Sequence, residues 1–92
     1  MADRMYAAVK ALIERDGEYL MVGVDVDGET LWIPPGGRIE YGEAPLEALK
    51  REVKGEVSLE IEPGDPIGMY HFFIGPEDDG EQVALTLYDV ES

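Results

Sequence analysis

Only one stretch of this chain carries a helical repeat, and a single helix sharply limits the folds open to it. Within residues 45–54, Leu46, Leu49 and Val53 fall on one stripe. Pro45 suits the first helical turn, where its missing N–H costs nothing. The surroundings are β-rich. Ala7 to Arg15 and Tyr19 to Asp25 are strand-like runs separated by Asp16-Gly17, a strong hairpin signal. Leu31-Trp32-Ile33 is stopped by Pro34-Pro35-Gly36-Gly37, for which irregular backbone is expected. Beyond the helix, Val57 to Glu62 leads to a Pro63-Gly64-Asp65-Pro66 turn and a run from Ile67 to Ile74. A polar loop, Gly75 to Gly80, precedes a closing strand from Gln82 to Val90. This order predicts an α+β fold with a mixed sheet and one helix. With 92 residues, one domain spanning 1–92 is expected, because a second core would be starved of residues.

The closing strand says something about its surroundings. Val83, Leu85 and Leu87 point one way, and Ala84, Tyr88 and Val90 the other, so both faces are substantially apolar. One helix covers one face only. The other calls for loops, a part of the fold beyond this chain, or a second subunit, so a homodimer through the uncovered sheet face is one expectation.

Charge narrows the function. Twenty-one acidic against seven basic side chains leave a net charge of −14, which repels phosphate backbones and excludes a DNA- or RNA-binding module. Anionic membrane surfaces are disfavoured for the same reason. The excess serves solubility or adaptation to a salt-rich host. There is no cysteine and one histidine, His71, so thiolate zinc sites, cysteine nucleophiles and multi-histidine centres lack parts. No apolar run approaches the roughly 18 residues of a membrane span, and Met1-Ala2-Asp3-Arg4 opens no secretory signal. A cytoplasmic protein is expected.

The residues with chemistry to offer lie between Gly36 and Leu59. Glu52 and Glu56 are four apart, so on a continuous helix their carboxylates project from one face, one turn apart. Such a pair suits Mg2+, which typically takes one or two carboxylates, several waters and substrate phosphate oxygens. The glycine-rich loop lets backbone approach closely, with the Gly37 carbonyl as a further ligand. Glu43 is placed to pair with Arg51 and hold the loop against the helix, orienting Glu52. In such a site the metal neutralises a diphosphate and activates water, while a glutamate acts as general base.

The segment Trp32-Ile33-Pro34-Pro35-Gly36-Gly37-Arg38-Ile39-Glu40-Tyr41-Gly42-Glu43, with Arg51-Glu52-Val53, resembles the Nudix box. The family pattern is G-x5-E-x7-R-E-U-x-E-E-x-G-U, U being a bulky aliphatic residue. Seven of its nine specified positions match between 37 and 59: Gly37, Glu43, Arg51, Glu52, Val53, Glu56 and Leu59. The resemblance, which extends in strand order over nearly the whole chain, implies a Nudix-like mixed sheet. It also implies hydrolysis of the pyrophosphate of a nucleoside diphosphate linked to another moiety, with Mg2+ or Mn2+. Glu52 and Glu56 would be metal ligands, Glu52 also the base, and Arg51 with Glu43 the orienting pair. The expected partner is a small nucleotide-type substrate. The alternative is a nucleotide-binding or protein-interaction module on the same fold, without catalysis.

Two positions depart from the pattern. Gly55 stands where the first glutamate of the pair, a family metal ligand, is expected, and Ser58 where the glycine is expected. Together they suggest a helix-ending glycine moved three residues earlier. If Gly55 is left-handed, the helix stops near Lys54 and Glu56 leaves the metal-facing surface. If the helix runs through, Gly55 costs about 1 kcal/mol against alanine and Glu56 stays in place. A further strand and second helix, expected of the family after Val90, have no counterpart before Ser92.

The other candidates are read more plainly. Glu40 and Glu47 are expected as solvated charges, and Glu77-Asp78-Asp79-Gly80-Glu81 as a solvated hairpin loop. Asp25-Val26-Asp27-Gly28 lacks the later bidentate glutamate of a calcium loop and is expected as a turn. His71, Trp32 and Tyr41 are expected to serve packing.

Overall fold

A computed structural model describes residues 4–74 and 80–91. Its elements are β1 (Arg4–Arg15), β2 (Glu18–Tyr19), β3 (Val22–Val26), β4 (Glu29–Ile33), β5 (Gly36–Arg38), α1 (Pro45–Val57), β6 (Pro63–Ile74) and β7 (Glu81–Glu91). The fold is α+β, with one helix among the described residues against a mixed sheet of order β2-β1-β7-β6, and β5 paired with β1. Strands β3 and β4 form a separate two-stranded sheet. No helix among the described residues is long and apolar enough to cross a membrane.

Two glycine turns make the hairpins. Asp16 and Gly17 have φ of 53° and 82°, and Asp27 and Gly28 have 51° and 83°. Positive φ at both central residues matches the right-handed twist of the flanking strands. The run from Tyr19 to Asp25 does not continue as one strand. The Leu20 N–H still donates to the Ile13 carbonyl at 3.0 Å, and Leu20 packs against the core. The chain then departs into the β3–β4 hairpin.

The two long strands, β1 and β7, lie parallel, from Arg4 opposite Glu81 to Glu14 opposite Glu91. Tyr6 donates its hydroxyl to Glu81, and the Arg38 guanidinium sits 3.6 Å from the Tyr6 ring centroid, bringing β5 into the same tie. On one face of β1, Val9, Ala11 and Ile13 bury against Ala48, Leu49 and Val53 of α1, with Ile61 and Val90. Each fully buried aliphatic side chain there contributes about 1.5–3 kcal/mol. The helical stripe differs from expectation at Leu46, which is exposed, while Ala48 is buried. On the opposite face Leu85 and Leu87 are half-buried, and Tyr70 and Phe72 are exposed.

Proline and glycine led the sequence reading astray twice. Gly36 and Gly37 are not irregular: they pair with Lys10 and Val9. A Cβ on Gly36 would lie 2.1 Å from the Val9 carbonyl oxygen, so the missing side chain is what admits β5 to the sheet. Likewise Pro63 to Pro66 belongs to β6, with register shifts between Pro63 and Pro66 and between Pro66 and Gly68. An edge strand tolerates proline at such bulges. Residues 58–62 form no strand; they are tied to the helix by Lys54 to Glu60 at 2.6 Å and Lys50 to Glu62 at 3.8 Å.

The helix runs through Gly55 and ends at Val57, as the second of the two alternatives requires. Ser58, not Gly55, takes the left-handed conformation (φ 59°), and its N–H donates to the Lys54 carbonyl at 3.0 Å. The terminating residue therefore keeps the pattern's position without its glycine. No atom outside the helix backbone lies within 4 Å of a Cβ built on Gly55. Gly55→Ala should accordingly raise stability by about 1 kcal/mol, or roughly 4–8 °C in melting temperature. A melt unchanged or lowered would show that Gly55 is held for another reason.

Candidate active site

The loop from β5 to α1 is fastened by one guanidinium. Arg51 Nε donates to Glu43 Oε2 at 2.7 Å and Nη2 to Glu43 Oε1 at 2.9 Å, a two-pronged pair. Nη2 also reaches the Arg38 carbonyl at 3.1 Å, and Nη1 donates to Glu52 Oε1 at 2.7 Å. Glu43 Oε1 accepts a further bond from the Glu40 N–H at 3.0 Å. One side chain thus ties strand end, loop and helix together and fixes one oxygen of Glu52.

The electrostatics follow from these bonds. Hydrogen bonding to Arg51, then to the Glu40 N–H, holds the Glu43 carboxyl down at about 2, and the Arg51 guanidinium is pushed further up by Glu43 and Glu52. A carboxyl depressed in the fold stabilises it fully above its unfolded value of about 4.3, and loses that contribution as pH falls towards 2. Wild-type protein should therefore lose stability more steeply between about pH 4.5 and 2 than Glu43→Gln. Acid-unfolding curves of the two measured side by side check this, and parallel curves would refute it.

Glu52 and Glu56 both converge on the glycine pair. A Cβ on Gly37 would meet Glu52 Cδ and Oε2 at 2.6 Å each, so the carboxylate lies directly on that backbone. Glu56 Oε1 accepts the Gly36 N–H at 2.7 Å. Two carboxylates one helical turn apart therefore close over a glycine backbone. Among the described residues no three histidine, cysteine, aspartate or glutamate side chains group to hold a metal. The donor set is all hard oxygen and small, which fits Mg2+ or Mn2+ retaining waters and taking substrate oxygens. It does not make an all-protein cage.

Lys10 is the charged neighbour that motif reading missed. It stands opposite Gly36 on β1. Burial pushes its ammonium below the ordinary lysine range, while Glu56 and Glu52 act in the opposite sense. A lone lysine in a strand carries no spacing signal, so only the pairing of β1 with β5 exposes the relation.

Several of the remaining candidates sort differently from expectation. Glu47 is not simply solvated: its Oε1 accepts the Ala44 N–H at 3.1 Å and caps the helix start. Glu40 is largely exposed, 3.9 Å from Arg51. Contrary to expectation, neither Trp32 nor Tyr41 packs into the core. Tyr41 is fully exposed, and Trp32 lies over Gly23 with 69% of its surface exposed. His71 is exposed on β6, edge-on to Phe73 with ring centroids 5.9 Å apart. Glu77, Asp78 and Asp79 lie outside the described residues, whereas Glu81, expected in the solvated loop, opens β7 and accepts the Tyr6 hydroxyl.

Residues 3–91 match the family model of the NUDIX domain, and the chain belongs to the Nudix family. Phosphatase NudJ of Escherichia coli K12 is 31% identical over 72 residues, covering 78% of this chain and 46% of that protein. The chain thus spans under half the length of this curated relative. The solution structure of the E. coli ORF135 protein superposes with a TM-score of 0.81 at 28% identity, covering 96% of this chain and 61% of its own. A MutT protein from Methanosarcina mazei Go1 gives 0.82 at 26% identity, with 97% and 64% covered.

Proposed function

We propose that this chain provides the catalytic core of a metal-dependent hydrolase that cleaves the pyrophosphate bond of a nucleoside diphosphate linked to another moiety. The observation that carries this reading is the closure of Glu52 and Glu56 over the Gly36–Gly37 backbone, braced by the Arg51–Glu43 pair. Family membership and the likeness to a phosphatase support it. Mg2+ or Mn2+ would be held by Glu52, Glu56 and the Gly37 carbonyl, and would supply charge neutralisation of the diphosphate and a more acidic water.

The chain's own residues divide the remaining work. Arg51 holds Glu52 Oε1, which leaves Oε2 without a hydrogen bond among the described residues. That oxygen takes the proton of the attacking water as general base. Glu56 keeps the Gly36 N–H occupied and sets the distance between helix and β5. Glu43 acts through Arg51 as a positioning residue. Substrate choice among nucleoside triphosphates, nucleotide sugars and dinucleoside polyphosphates rests with the loops and pocket shape.

A panel of those three substrate classes, assayed with Mg2+ or Mn2+ at low and high KCl, tests the proposal. The expected result is release of a phosphorylated product that requires metal. Silence across the panel in folded protein would favour the binding or interaction module instead.

A further inference from the structure

A net charge of −14 on 92 residues opposes association of two copies of this chain, except where charge is absent. The longest stretch without Asp, Glu, Lys or Arg runs from Pro66 to Pro76, and its described part lies in β6. Strand β6 forms one edge of the sheet, paired only with β7 among the described residues. Edge strands in soluble proteins are commonly blunted by lysine, inward-pointing charge or proline. Here Pro63, Pro66 and two register shifts blunt only the first half. From Gly68 to Ile74 the register with β7 is uninterrupted. Both faces of that stretch present apolar side chains: Tyr70 (56% exposed) and Phe72 (43%) on one, Met69 (77%) and Phe73 (66%) on the other.

The regular stretch is also self-complementary. Its midpoint is His71, and antiparallel pairing about that residue sets Gly68 opposite Ile74, Met69 opposite Phe73 and Tyr70 opposite Phe72. Every such pair joins residues of the same face, and aromatic cross-strand pairs are among the favourable ones. We propose that two copies of this chain associate through the β6 edge, antiparallel across a two-fold axis at His71, forming one continuous sheet. A homodimer expected through the uncovered sheet face is thereby placed at its edge. The contact is isologous and closed, so it stops at two copies.

Sedimentation of the 92-residue chain across a concentration series up to the millimolar range should show the mass rising from one chain towards two. Met69→Lys and Phe73→Glu should each hold the protein at one chain, although Met69→Lys lowers the net charge and by general repulsion alone would favour association. The double variant should restore the dimer, because each lysine then faces a glutamate. His71→Cys supplies an independent reading. The chain has no other cysteine, and directly opposed antiparallel residues have Cα atoms about 4.5–5.5 Å apart, within disulfide range. Diamide should convert His71→Cys to a covalent dimer and leave Tyr41→Cys, at a fully exposed loop position, a monomer. All these sites are exposed, so circular dichroism should match wild type. A wild-type monomer throughout, a Met69→Lys protein that associates like wild type, no recovery in the double variant, or a His71→Cys protein that fails to cross-link would overturn the proposal.

Discussion

If the proposed function holds, Glu52→Gln should lower metal-dependent turnover by about 10²–10⁴-fold or more, since it would remove both the proposed general base and a proposed charged ligand. The reasoning rests on where the carboxylate sits. Glu52 lies against the Gly37 backbone and is held by Arg51 Nη1. The amide keeps the size and one acceptor oxygen, so the helix and the Arg51–Glu43 pair should survive. Circular dichroism and melting temperature near wild type, beside lost activity, would separate a chemical role from a structural one. Turnover within a few-fold of wild type would remove Glu52 from the chemistry and direct attention to Glu56.

Gly36→Ala should be the most damaging small substitution in the chain. The added Cβ would lie 2.1 Å from the Val9 oxygen and 2.7 Å from the Lys10 Cα, both backbone atoms of a strand that cannot move aside. Gly36 also has φ of 145°, which side chains rarely adopt. A clash and a strained dihedral together should cost about 3–5 kcal/mol, a large fraction of the stability of a domain this size. The Gly36 N–H would withdraw from Glu56 as β5 left the sheet, so activity should fall with the fold. Chemical denaturation measures the loss. A variant as stable as wild type would mean that β5 does not approach β1 as closely as described.

The fold was legible where local chemistry and packing agree. Pro45 and the spacing of Leu49 and Val53 marked the helix, and Asp16-Gly17 marked a hairpin, because each signal is written in neighbouring residues. The sequence misled where a glycine or proline serves a distant partner. Gly36 reads as a break, yet its missing side chain answers to Val9, twenty-seven residues earlier. Gly55 reads as a stop, yet burial of Val53 and the bond from Gly36 to Glu56 outweigh a propensity cost of about 1 kcal/mol. For the candidate site, the spacing of Glu43 and Arg51 carried their contact, since the family pattern encodes it. Lys10 was invisible, because nothing in a strand's own residues says which loop will lie beside it.

The parallel pairing of β1 with β7 has a consequence for how the protein is made. Tyr6 and Glu81, which bond across that pair, are 75 residues apart, and β7 lies between β1 and β6 in the sheet. Of the eight described elements, this inner strand is the last to leave the ribosome. Until it emerges, the long early strand and the aromatic β6 have no seat between them, and the hairpins and helix stand as local fragments. Contacts of such sequence separation make folding slow and late. A nascent chain lacking β7 thus exposes apolar strand edges, and chaperone capture during synthesis should be concentrated in that interval.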